Sequence, residues 1–163
     1  MAGVAVVASG NYDLEIDTGF LVDTFTLDNA TSGVLDNTKF VLDGTTEFAS
    51  VLDGVNQVYV RRGRRDKGDQ FGAGTMSFTM LDTSGIFMPF DETSPYYDTP
   101  NAKPGLAPMR TVRLSRYSAT NVKEYLFVGK IVNYDYNFAL GGLDTVTVFC
   151  ADDFYLLSQT YLD

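Results

Sequence analysis

The sequence predicts an all-β fold, and three observations carry that prediction. Apolar and polar residues alternate at a period of two through much of the chain. Turn residues separate these stretches. Every aromatic is a Tyr or a Phe, residues that favour half-buried pleated surfaces. A β-barrel or a β-sandwich satisfies the pattern equally well, with one short C-terminal helix and a long Pro-rich loop added. The chain has 163 residues, 45% of them apolar and 20% charged, enough to enclose a core as one domain.

The first alternation sets Tyr12, Leu14 and Ile16 against Asp13, Glu15 and Asp17. Residues 18–54 then change character. Val-Leu-Asp triplets stand at Val34–Asp36, Val41–Asp43 and Val51–Asp53, the last two followed by Gly44 and Gly54. Their unequal spacing excludes a strict repeat, and short strands closing in Asp-Gly turns explain them. The expected organisation is an N-terminal β arm or hairpin region over 1–54, packed on the body, and a β-barrel domain over 55–163.

In the body, Val58 and Val60 alternate with Gln57, Tyr59 and Arg61, and Met76, Phe78 and Met80 with Thr75, Ser77 and Thr79. Val112 and Leu114 form the next strand. Glu124–Phe138 is a long one, apolar on both faces in its first half and interrupted by Gly129. Such a glycine marks a bulge or a bend, which a sheet needs in order to close. Ala139–Asp144 reads as a hairpin turn around Gly141 and Gly142, leading into a strand with Val146 and Val148. Asp152 or Asp153 caps a final helix, where Phe154, Leu157 and Tyr161 recur at helical spacing. No Gly or Pro follows as a stop signal, so the helix either ends at Asp163 or leads into further chain.

All five prolines lie between Pro89 and Pro108. A loop of this length is a functional feature or a disordered one. Tyr96 and Tyr97 sit in its middle, either as a contact surface or as staples that fold the loop back onto the barrel.

The net charge is −9 and unevenly spread. Residues 1–60 carry nine acids and one lysine, while 61–67 carry five bases and one acid. Such acidity suits wrapping of nucleic acid poorly, and it weighs against a nucleic-acid patch at Arg61, Arg62, Arg64, Arg65 and Lys67. Two other readings of that run stay open: an inter-subunit clamp, since Arg forks bind carboxylates bidentately, and a solvated strand end that discourages edge aggregation.

No histidine occurs. Ser-His-Asp and Cys-His nucleophile arrangements are therefore excluded, as are the usual zinc sites. The single cysteine, Cys150, cannot form an intrachain disulfide and reads as a buried structural thiol. No phosphate-binding loop is present, and Gly72-Ala73-Gly74-Thr75 reads as a tight lead into a strand. Asp91-Glu92 and Asp152-Asp153 are adjacent pairs, which strand geometry points to opposite faces. Asp28, Asn29, Asp36, Asn37 and Asp43 fit no calcium-loop spacing. The expectation is a non-enzyme without cofactor or metal. Met1–Gly10 is apolar but lacks the basic start of a signal peptide. No apolar run approaches the ~20 residues of a membrane helix, so no membrane insertion by this chain is expected.

A series of short phrases runs in order through the chain. Leu42-Asp43-Gly44 leads to Arg61-Arg62-Gly63-Arg64, Ala73-Gly74-Thr75 and Gly85-Ile86-Phe87-Met88-Pro89. Ser94-Pro95-Tyr96-Tyr97, Pro108-Met109-Arg110, Leu126-Phe127-x-Gly129 and Cys150-Ala151-Asp152 follow. Over roughly residues 20–157 this order resembles the N-terminal part of siphophage minor tail proteins of the tail hub and distal tail family. The resemblance implies a barrel of the tail-tube kind, and a structural virion protein whose copies join by sheet pairing into a ring of three or six around the DNA channel. Its implied partners are the tail tube, the tape measure and further tail-tip proteins, with DNA passing nearby without sequence-specific binding. Its implied place is the virion tail, and the host cytoplasm during assembly. Arg61, Arg62, Arg64, Arg65, Lys67, Tyr96 and Tyr97 are the candidate inter-subunit contacts. Family members are often longer, with a second barrel or receptor-binding parts after the terminal helix. The rival reading is a carbohydrate-binding β-sandwich that stacks host surface glycan on Tyr96, Tyr97, Tyr134 and Tyr136. The absence of Trp counts mildly against it.

Overall fold

In the computed structural model, which describes residues 11–22, 30–31, 33, 39, 42, 45–61, 72–83, 85–88, 90–98 and 102–159, the alternating stretches are strands. They are β1 (Tyr12–Val22), β2 (Thr45–Ser50), β3 (Val55–Arg61), β4 (Thr75–Asp82), β7 (Thr111–Tyr117), β8 (Lys123–Asn137) and β9 (Asp144–Ala151). Two-residue strands β5 (Tyr97–Asp98) and β6 (Lys103–Pro104) pair with each other inside the proline-rich loop. One helix, α1 (Asp153–Gln159), follows. The fold is all-β.

The long strands form one antiparallel seven-stranded sheet in the order β2-β1-β7-β8-β9-β4-β3. Its outermost strands, β2 and β3, are nearly consecutive in sequence, joined only by Val51 and a 3₁₀ turn at Leu52–Gly54. Laid flat, seven strands would hold those edges about 29 Å apart, whereas the connection spans at most about 18 Å. The sheet is therefore folded over. β8 supplies the hinge: its first half pairs with β7 and its second half with β9, and Lys130 serves both. Two four-stranded halves face each other, and both β8 and the β2–β3 segment bend from one half into the other.

The core lies between the halves. Leu14, Ile16, Val112, Leu114 and Phe127 from one side meet Met76, Phe78, Met80, Val146, Val148 and Cys150 from the other. Val51 plugs the corner and donates its N–H to the Leu14 carbonyl at 2.9 Å. Leu14, Ile16 and Val51 thus share a single core with residues after 55, and β1 lies between β2 and β7.

Three local features correct or sharpen the sequence expectation. Val51–Gly54, read as a short strand and turn, is a corner: Val51 is buried in the core and Leu52–Gly54 form a 3₁₀ turn. Gly129 marks the bend and not a bulge: it adjoins Lys130, where β8 passes from one half to the other, whereas register shifts fall between Leu114 and Ser115 against β7, and between Ile131 and Asn133 against β9. Gly129 also permits close approach, since a Cβ there would lie 2.4 Å from the Ala151 carbonyl oxygen. In α1, Phe154 and Leu157 are 50% and 70% exposed, so the helical stripe faces outward. Tyr161, Val34–Asp36 and most of Val41–Asp43 lie outside the described residues.

Candidate oligomerisation surfaces

β3 places Arg61 at its exposed C-terminal end. Arg62, Arg64, Arg65 and Lys67 lie outside the described residues. β3 is also an edge strand, as is β2, and among the described residues neither has a partner on its outer side. Free edges present rows of N–H and C=O groups to a further strand.

Beside this edge the outer face of the sheet carries an apolar groove of about 360 Å³. Tyr59, Ser77 and Phe149 stand side by side on β3, β4 and β9, brought into line by strand register. Val132, displaced outward at the β8 irregularity, and Tyr155 of α1 close the sides. Sequence alternation had assigned Tyr59 to the polar face, and Phe149, next to Val148, falls on the same outward side. The signal was available in an aromatic occupying an outward strand position.

Asp152 fixes α1 beside this groove. Its carboxylate accepts the Tyr155 N–H at 3.3 Å, which caps the helix, and the Gly74 N–H at 2.7 Å. Either Asp152 or Asp153 was expected to cap, and the structure assigns the role to Asp152. Cys150, behind the groove, is 3% exposed, and burial pushes its thiol up to about 12.

Tyr96 and Tyr97 lie elsewhere. Tyr96 is half-buried and stacks on Phe87 with ring centroids 6.1 Å apart, and Phe87 lies against Gly54 near the start of β3. The arginine end and the tyrosine pair thus sit toward opposite ends of β3 and form no single site. The loop is anchored to its own body. The Gly105 N–H donates to the Tyr96 carbonyl at 2.7 Å, and Leu106 is buried. Arg110 donates to the Gly105 carbonyl at 2.9 Å. The Arg110 guanidinium also fills the space where a side chain on Gly19 would stand. Among the four tyrosines offered as a glycan platform, Tyr96, Tyr134 and Tyr136 pack against the core. The Tyr134 hydroxyl is buried without a hydrogen-bond partner among the described residues, and burial pushes its phenol upward.

The polar side of the other half is a charge row. Lys123 bridges Asp13 at 3.1 Å and Glu15 at 2.8 Å. Burial alone would lower its pKa, but the hydrogen bonds and charges of Glu15 and Asp13 outweigh it and hold the ammonium above its usual range. Arg113 lies 3.6 Å over the Phe48 ring.

The β8–β9 turn is the third exposed surface. Phe138, Leu140 and Leu143 are all exposed there, with Leu140 fully so. Beneath them Asp82, the inward polar residue of β4, accepts the Tyr136 hydroxyl at 2.8 Å and the Phe87 N–H at 3.2 Å. Burial, then Asp82, then the charges of Asp144 and Asp91 push the Tyr136 phenol up to about 12. Among the described residues no cluster of three or more metal-ligating side chains occurs, and no helix is long and apolar enough to cross a membrane.

No protein-family model matches this chain, and no curated protein matches it.

Proposed function

We propose that this chain is a structural subunit of a bacteriophage tail tip, a tail hub or distal tail component, and that its copies join into a ring around the DNA channel. The observation that carries this reading is the outer surface at β3: a strand edge unpaired among the described residues, bordered by an apolar groove and followed in sequence by the basic segment. Three kinds of attraction meet there. The open edge offers main-chain hydrogen bonds to a neighbouring strand. The groove offers apolar burial. The arginines that begin at Arg61 offer forked hydrogen bonds to carboxylates, which this chain carries in excess.

The folded-over sheet then serves as a barrel of the tail-tube kind, and the net charge of −9 repels DNA phosphates from the channel wall. The ordered phrases from Leu42 to Asp152 support the same assignment. Partners of the ring are the tail tube, the tape measure and further tail-tip proteins.

The test is the mass of the purified chain in solution, followed by electron imaging of the assembled species and of virions. Closed rings of three or six, found on the tail axis, are the expected result. A chain located off the tail axis, or absent from the tail, sinks the proposal.

A further inference from the structure

We infer that the β8–β9 turn of one copy docks into the outer groove of the next, a contact that rests on the ring reading and gives it a specific joint. The turn does not need its apolar residues for its own geometry. A hairpin turn is served by Asn, Asp and Gly, and here Gly141 has φ +80 and the Gly142 N–H closes on the Ala139 carbonyl at 3.1 Å. Leu140 touches water on every side, and Phe138 and Leu143 are 64% and 54% exposed. Phe138 also packs on Tyr136, with centroids 4.5 Å apart, and Asp144 accepts the Ala139 N–H at 2.8 Å. The result is a preorganised apolar knob, which loses little freedom on docking.

The groove is the complementary shape, apolar and open outward, with a volume of about 360 Å³. Knob and groove lie about 20 Å apart along the same strands, so a knob cannot reach its own groove. Charge complements shape. Asp144 is hydrogen-bonded to the turn itself, and the charge of Asp91 reaches Tyr136, on which Phe138 packs. The groove lies beside the exposed Arg61 and the half-buried Lys130, with the remaining arginines following Arg61 in sequence. Of the acids near the groove, Asp152 is committed to two N–H groups, Asp153 is exposed at the helix start, and Asp135 is exposed one outward position beyond Asn133, the ladder partner of Phe149. A patch that fits a pocket elsewhere on the same molecule makes a head-to-tail contact, which closes into a ring or runs on as a filament. A second copy is therefore the occupant.

The experiment pairs two single-site variants, Leu140→Cys and Ser77→Cys, in oxidising buffer. The native Cys150 is buried and does not interfere. Disulfide-linked dimers are expected in the mixture and in neither variant alone. No mixed link up to the solubility limit overturns the inference, as does a link in Leu140→Cys alone, which would mean knob against knob. Leu140→Asp should reduce assembly at least tenfold while leaving the urea midpoint of the monomer unchanged; full assembly by that variant also overturns it. Rings without the mixed link sink this joint and leave the proposed function standing. A mixed link in a chain absent from tails leaves the joint standing and sinks the proposed function.

Discussion

Asp152 and Gly74 exchange two hydrogen bonds: the Gly74 N–H donates to the Asp152 carboxylate at 2.7 Å, and the Asp152 N–H donates to the Gly74 carbonyl at 3.0 Å. The pair ties the start of α1 to the lead-in of β4, 78 residues earlier in the chain. A side chain on Gly74 would meet that carboxylate at 2.6 Å. Asp152→Ala removes a helix cap and leaves the buried Gly74 N–H unsatisfied. The expected loss is about 2–4 kcal/mol by urea denaturation. Asp152→Asn keeps an acceptor and should recover most of it.

Stability should fall on the alkaline side. Burial pushes the Cys150 thiol up to about 12 in the fold, against about 8.5 for an unfolded cysteine. Its folded pKa is raised, so its contribution is complete below about pH 8.5 and is lost as pH rises toward 12. The slope is about 1.4 kcal/mol per pH unit. Tyr136, also pushed up to about 12, adds to the loss above its unfolded value near 10. Urea midpoints at pH 8.5 and 9.5 should separate for the wild type and draw together for Cys150→Ala.

Gly105→Ala should release the proline-rich loop. Its added Cβ would lie 2.0 Å from the Tyr96 carbonyl oxygen and 2.6 Å from that of Thr18, both backbone atoms. A clash of this kind costs about 1–3 kcal/mol. Limited proteolysis should then cut between residues 89 and 108 in the variant. The wild-type loop should resist in assembled tails; cutting it equally fast there would remove it from the list of inter-subunit contacts.

Replacing Arg61, Arg62, Arg64 and Arg65 together with Ser should impair assembly and leave the monomer nearly as stable. Exposed ion pairs contribute about 0–1 kcal/mol each, whereas breaking desolvated ones costs several kcal/mol. Sedimentation measures assembly and urea unfolding measures stability. Unchanged assembly would leave the run as a solvated strand end.

Much of the fold was legible because burial follows alternation closely. In β4, Met76, Phe78 and Met80 are buried while Thr75, Ser77 and Thr79 are not. β2 was not legible: its inner residues are only half-buried, and Phe48 lies under Arg113 rather than in the core. Nor was the strand order, since the fold-over depends on a short link between two distant edges. The groove was hidden because Tyr59, Phe149 and Tyr155 come together only through register and helix placement. Arg110 against Gly19 is a contact over 91 positions that no local pattern encodes.

The place of β1 between β2 and β7 has a consequence for synthesis. Asp13 meets Ser115 across the ladder, so the first strand waits for about a hundred further residues to leave the ribosome. At about 5–20 residues per second that delay is roughly 5–20 s. During it Leu14 and Ile16 have no inner partner from β7 or β8, and an uncovered strand invites pairing with another nascent chain. Asp13, Glu15 and Asp17 alternate with those apolar residues on the same strand. Like charges on two such strands repel, so the acidic face that later holds Lys123 also acts as a gatekeeper while the chain is incomplete.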